Sequence, residues 1–221
     1  MIYMISRPIQ KADYALLLEL DRKVYPTRSP VTPKILDKWY QRNPEFGLVY
    51  EKGNSVCGMC STIPLNAEGW TGLINGELAE SDLDARTIFD NSRDKKLGIH
   101  VYHIEKLDPT IGKLYQKCLT DLSGIVSNLR RENANLRVIG FSGLCVTNEG
   151  IELFTKKLNC KEKGYKSKEH ILEKEGQKIV FEANSEREMN KKIRDGYKAI
   201  NRCRMLVTYP SEESMVWKYL K

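Results

Sequence analysis

No apolar run in this sequence approaches the roughly 18 to 20 residues that a membrane-crossing helix needs, so no such helix is expected. The opening "MIYMISRPIQKADY" has too short an apolar stretch for a secretory signal, and a cytosolic protein is the expectation. Internal repeats and low-complexity tracts are also missing, which argues against a solenoid or a disordered array. Cysteine is present but scattered, at positions 57, 60, 118, 145, 160 and 203, mostly inside apolar-periodic segments. Buried reduced thiols therefore fit better than a disulfide framework. "CGMC" has no second CxxC to complete a zinc site, and on a strand Cys57 and Cys60 point to opposite faces, so no metal is expected.

What is present suits one globular domain with room for an appendage: 221 residues, 41% hydrophobic and 29% charged. The formal net charge is +7, and residues 161 to 221 carry 15 Lys+Arg against 10 Asp+Glu, so most of the excess lies in the last quarter. Such a skew can attract phosphate-bearing partners but is common in proteins that never meet nucleic acid.

The periodicity alternates strand with helix. "MIYMIS" reads as a short strand, and "KADYALLLELDRKVY" as a helix with Tyr14, Leu17, Leu18, Val24 and Tyr25 at helical spacing. Thr32 before Pro33 marks the start of a second helix. "FGLVYEKGNSVCGMCSTIPL" predicts two strands joined at Lys52-Gly53-Asn54, and residues 66 to about 96 read as a polar loop with a short helix. After the strand "LGIHVYHIEKL", residues 111 to 129 place Ile111, Leu114, Cys118, Leu122, Ile125, Val126 and Leu129 on one stripe, the clearest helix in the chain. "LRVIGFSGLCV" is a further strand, and Asn148 is a plausible cap for the short helix after it. A hairpin should turn at Glu175-Gly176-Gln177, and a last helix over 185 to 205 should begin with Ser185 and Glu188 in capping-box spacing. The fold class expected is α/β (α+β): a mixed, mostly antiparallel sheet flanked by helices, with a C-terminal helical extension.

Two strings, "SVCGMCSTIPLN" and "LDPTIGKLYQKCL", together with the order of elements over roughly residues 1 to 175, resemble the GNAT superfamily of acyl-CoA-dependent N-acyltransferases. The resemblance implies a GNAT-like domain over 1 to 180, followed by a basic extension over 181 to 221 packed on the same domain. In that family a strand ending valine-x-proline leads through an arginine/glycine-rich loop into a helix whose first turn holds the pyrophosphate of coenzyme A. Here Leu107-Asp108-Pro109 matches the strand end and Thr110-Ile111-Gly112-Lys113-Leu114 the helix opening, but the arginine and glycines between them are absent. Phe154 or Thr155 stands where many members carry the tyrosine that protonates the thiolate, leaving Tyr115 or Tyr165 as substitutes.

The activity implied is transfer of an acetyl group from acetyl-CoA to a primary amine by direct attack, with Glu105, Lys106, Leu107, Ile111, Gly112 and Lys113 at the cofactor. Simple alternation on the strand 97 to 107 puts Ile99, Val101, His103 and Glu105 on one face and His100, Tyr102, Ile104 and Lys106 on the other. Glu105 or His103, acting through water, is the candidate base; His100 and His103 would be divided between faces, which argues against a metal pair. The acids Glu77, Glu80, Asp82 and Asp84 could attract a cationic amine or be solvated surface, and Trp70 among them could close over a substrate or anchor the loop. The cations near Met189, Ile193, Tyr197 and Ile200 fit a docked helix better than a nucleic-acid reader. The alternative to an enzyme is a GNAT-like scaffold without activity that binds a protein or nucleic acid.

Overall fold

The computed structural model describes residues 4–24, 31–163, 169–182 and 185–220. Strands β1 (Met4–Pro8), β2 (Gly47–Lys52), β3 (Ser55–Leu65), β4 (Lys96–Lys106), β5 (Arg137–Cys145), β6 (Lys161–Glu162) and β10 (Arg204–Thr208) form a seven-stranded sheet in the order β1-β2-β3-β4-β5-β10-β6. Every neighbouring pair is antiparallel except β4 and β5. The helices are α1 (Tyr14–Val24), α2 (Pro33–Tyr40), α3 (Ala67–Asn75), α4 (Leu114–Glu132), α5 (Asn148–Glu152), α6 (Glu186–Arg194) and α7 (Met215–Leu220). This is the mixed, mostly antiparallel sheet with flanking helices that the periodicity predicts.

Local chemistry explains most boundaries. The Thr32 side chain caps α2 by accepting the Ile35 amide, with Pro33 at the first helical position. Gly53 at φ +64°, and Glu175 with Gly176 at +54° and +77°, supply the left-handed turns of the β2–β3 and β7–β8 hairpins, where β7 is Glu169–Lys174 and β8 is Gln177–Glu182. The α4 stripe of Leu114, Cys118, Leu119, Leu122, Val126 and Leu129 is buried against the sheet, and Ile111 belongs to the turn before it. Residues 66 to 96 are more ordered than expected: the Asn66 side chain accepts the Gly69 amide and starts α3. Thr147, not Asn148, caps α5 by accepting the Gly150 amide, and a π-helical turn follows at Leu153–Lys157. All six cysteines are buried, and none forms a disulfide among the described residues.

The last quarter differs from the expected single helix. Ser185 does cap α6, accepting the Glu188 amide. The helix stops at Arg194 because Gly196 turns left-handed at φ +89°, and the chain continues as strand β9 (Lys198–Arg202) and then β10. The stripe Met189, Ile193, Tyr197 and Ile200 therefore does not lie on one helix. The segment after residue 180 is built into the same sheet. β10 lies between β5 and β6, and α7 is tied to α4 by the Arg130 guanidinium donating to the Leu220 carbonyl at 3.0 Å. What stands outside the continuous core is the small sheet β8-β7-β9, with Ile171 and Leu172 buried on its own.

Candidate active site

The site begins with a pairing defect. Along β3 and β4, Ser61 faces His103 and Thr62 faces Val101, so Tyr102 has no partner and forms a β-bulge. A bulge resets the alternation. The Tyr102 and His103 rings lie 6.3 Å apart on the same side of the sheet, where Tyr102 also packs edge-on against Trp39 of α2 at 4.9 Å. The expected division of His100 and His103 between faces is thus corrected: both look toward α1–α3. They still do not form a metal pair, because both ring nitrogens of His100 are engaged by Ser142 and Glu80.

The bulge also marks where β4 and β5 part. Their parallel pairing ends at Val101 and Gly143, while β4 runs on to Lys106 and β5 runs on to Cys145, its other edge paired with β10 over Phe141–Cys145. A wedge opens between them. The Leu107 amide donates to the Cys57 carbonyl at 3.0 Å, so strand alternation turns the Glu105 amide toward β3 as well and leaves those of Ile104 and Lys106 facing the wedge. The backbones of Glu105 and Leu107 thus serve the β3 pairing.

A groove of about 400 Å³ runs from the wedge to the start of α4, lined by Ile104, Lys106, Ile111, Gly112, Lys113 and Tyr115 among others, with Leu153 on its far side. Four of the expected cofactor residues, Lys106, Ile111, Gly112 and Lys113, line it together; Glu105 and Leu107 do not. Asp108 shapes the turn by accepting the Thr110 amide and hydroxyl at 2.8 and 2.7 Å, which holds this carboxyl below its ordinary value. Helix α4 has no side-chain cap. Among the described residues no acceptor is bonded to the amides of Gly112, Lys113, Leu114 and Tyr115, and a Cβ at Gly112 would meet open space. Free amides at a helix start, with Lys106 and Lys113 beside them, make an anion-binding end. Of the two substitute phenols, Tyr115 lines the groove; Tyr165 lies outside the described residues, as does Tyr25 of the expected first-helix stripe.

On the opposite face, His103 Nε2 is buried without a hydrogen bond, with Glu105 Oε2 3.5 Å from the imidazole, and the Tyr102 phenol is set against Asp21. Asp21, buried on α1, lies in the same field, and burial pushes its carboxyl above the ordinary value. Burial, then the Glu80 and Asp21 charges, raises the Tyr102 phenol. Of the four loop acids, Glu80 alone reaches the sheet, bonding His100 Nε2 at 2.9 Å; Asp82 and Asp84 bind the turn amides of Ala79 and Arg86, and Glu77 is exposed. Trp70 is an anchor. It is buried against Gly98 and Gly140, where an added Cβ would come within 2.2 and 1.9 Å of the indole.

An antiparallel four-strand half, a bulged fourth strand, a parallel pair that splays, and an uncapped helix start at the splay define the architecture. This architecture resembles the GNAT fold that the two sequence strings suggest. Solved structures of low identity align along nearly the whole chain. Arabidopsis thaliana Naa50 in complex with the bisubstrate analogue CoA-Ac-MVNAL is 10% identical, with 93% of this chain and 97% of that one covered at a TM-score of 0.46. Arabidopsis thaliana NAA60 in complex with acetyl-CoA is 10% identical, with 94% and 99% covered at 0.44. The loading GNATL domain of CurA from Lyngbya majuscula is 9% identical, with 94% and 97% covered at 0.47. No protein-family model matches the sequence, and no curated protein does.

Asp21, Tyr102 and the chain through His100 and Ser142 were not legible as site residues. The only sequence signal for them is a run of polar residues in otherwise apolar segments.

Proposed function

We propose that this GNAT-like chain is an N-acetyltransferase that passes an acetyl group from acetyl-CoA to a primary amine by direct attack. The observation that carries this reading is the open start of α4 beside the β4–β5 wedge. Four amides without acceptors, the open space at Gly112 and two lysines fit a pyrophosphate even without the arginine/glycine loop. The pantetheine arm would follow the groove to the wedge and pair with the edge amides of Ile104 and Lys106. The thioester supplies the activated acetyl group.

The amine would come from the α1–α3 face. An ammonium is not nucleophilic, so its proton must leave first, and Glu105 or His103 is placed to take it through water. An edge amide of β4 would polarise the carbonyl as negative charge develops on it. No enzyme nucleophile is needed, since the amine attacks the thioester itself. The test is an amine screen with acetyl-CoA that follows release of the free thiol. Acetylated amine and thiol in equal amounts are expected, with turnover falling about 10²- to 10⁴-fold in Glu105→Gln or His103→Phe if that group is the base. Unchanged turnover in both variants would remove the base assignment.

A further inference from the structure

A line of buried polar groups runs along the α1–α3 face of the sheet from Trp70 to Glu80. The indole of Trp70 can only donate, so Ser142 Oγ accepts from it at 3.0 Å. With a neutral imidazole beside an ionised Glu80, His100 Nε2 donates to Glu80 Oε1 at 2.9 Å and the serine hydroxyl donates to His100 Nδ1 at 2.9 Å. Neutral His100 is thereby held as its Nε2–H tautomer. Trp70, Ser142 and His100 are almost fully buried, and only the Glu80 end reaches partial exposure, 16% of its side chain.

Burying such a chain costs desolvation that an apolar core would avoid. Its free end faces an unbalanced space. Glu80 Oε2 has no donor among the described residues, Asp21 is a second buried carboxyl, set against the Tyr102 phenol and within the field of Glu80, and His103 Nε2 is buried without a hydrogen bond, with Glu105 Oε2 3.5 Å away. His103 itself is only 9% exposed. Acceptors outnumber donors, and a cation with several N–H groups would balance them.

We propose that Glu80 and Asp21 form the acceptor subsite for a cationic amine, and that Trp70, Ser142 and His100 are positioning residues that hold the Glu80 carboxylate toward it. This rests on, and deepens, the acetyltransferase reading. The probe is 1,4-diaminobutane, with 1,4-butanediol as its neutral counterpart, titrated into the full-length chain while histidine side-chain ¹⁵N signals are followed. Acetyl-CoA affinity is measured in parallel on each protein. The diamine should bind saturably and the diol should not. Glu80→Gln should weaken the diamine by about tenfold or more with acetyl-CoA affinity unchanged. The ¹⁵N signals should show His100 protonated on Nε2, and Ser142→Ala should release that preference and weaken the diamine. Equal diamine affinity in Glu80→Gln and the parent, equal binding of the diol, or His100 protonated on Nδ1 would overturn the proposal. Glu80-dependent diamine binding without acetyl-CoA binding would keep the subsite and remove the transferase reading. Acetyl-CoA binding without diamine binding would remove the subsite alone, and loss of both would remove both.

Discussion

Trp70 shows how single residues set the floor of this site. Its indole lies where side chains at Gly98 and Gly140 would otherwise be, so these glycines are needed for space and not for backbone freedom. Gly140→Ala should destabilise the fold by about 1 to 3 kcal/mol through overpacking. Trp70→Phe should cost stability alone yet recover part of the loss when combined with Gly140→Ala, because the ring atoms nearest the new methyl are gone. Thermal denaturation of the two single variants and the double variant measures that coupling; strictly additive effects would contradict it. Asp21 makes a second case. Its folded carboxyl lies above the ordinary aspartate value because of burial. The folded state therefore favours the protonated form, and the associated penalty grows as pH rises from about 4 through the folded value, then levels off. Asp21→Asn should raise stability at neutral pH by about 1 kcal/mol, or roughly 2 to 4 °C, while the gain disappears below about pH 4. Melting curves against pH for both proteins check this. Neither feature was readable from the sequence, since nothing local ties Trp70 to residues 28 and 70 positions away or marks Asp21 as facing inward.

At the scale of elements, the strands and the long helix were legible because their hydrophobic periods are strong and local. Two elements were not. The bulge at Tyr102 has no local sequence mark, and without it simple alternation sends His103 to the wrong side of the sheet. The segment after Gly196 has enough helix-compatible spacing to extend the apparent stripe of α6, but Gly196 in the left-handed region ends the helix and frees Lys198–Thr208 to pair as β9 and β10. Some cations of that stretch are committed to packing: Lys192 Nζ lies 4.9 Å from the Tyr197 ring centre and 5.1 Å from that of Phe181. Because β10 is an interior strand, a chain ending at residue 180 should not hold the seven-stranded sheet. Size-exclusion chromatography and circular dichroism of that truncation should show an aggregated or unfolded product; a cooperatively melting monomer would contradict the topology.

For the molecule as a whole, the sheet divides two jobs between its faces. The α4 side gathers free amides and lysines, which the proposed reading gives to an anion, and the α1–α3 side gathers carboxylates, which it gives to a cation. The first half was readable in "LDPTIGKLYQKCL", whose glycine and lysines sit at the helix start; the second depends on tertiary contacts between segments far apart in sequence. No described helix is long and apolar enough to cross a membrane. On the proposed reading, the open start of α4 holds the phosphates of acetyl-CoA. Calorimetric titration with acetyl-CoA at low and moderate salt, for the parent, Gly112→Ala and Gly112→Glu, tests it most directly. Micromolar binding that weakens with salt is expected, with no change in Gly112→Ala, where a methyl has room, and a loss of about 1 to 3 kcal/mol in Gly112→Glu. A folded parent that does not bind acetyl-CoA, or a Gly112→Glu variant that binds it as tightly as the parent, would contradict it.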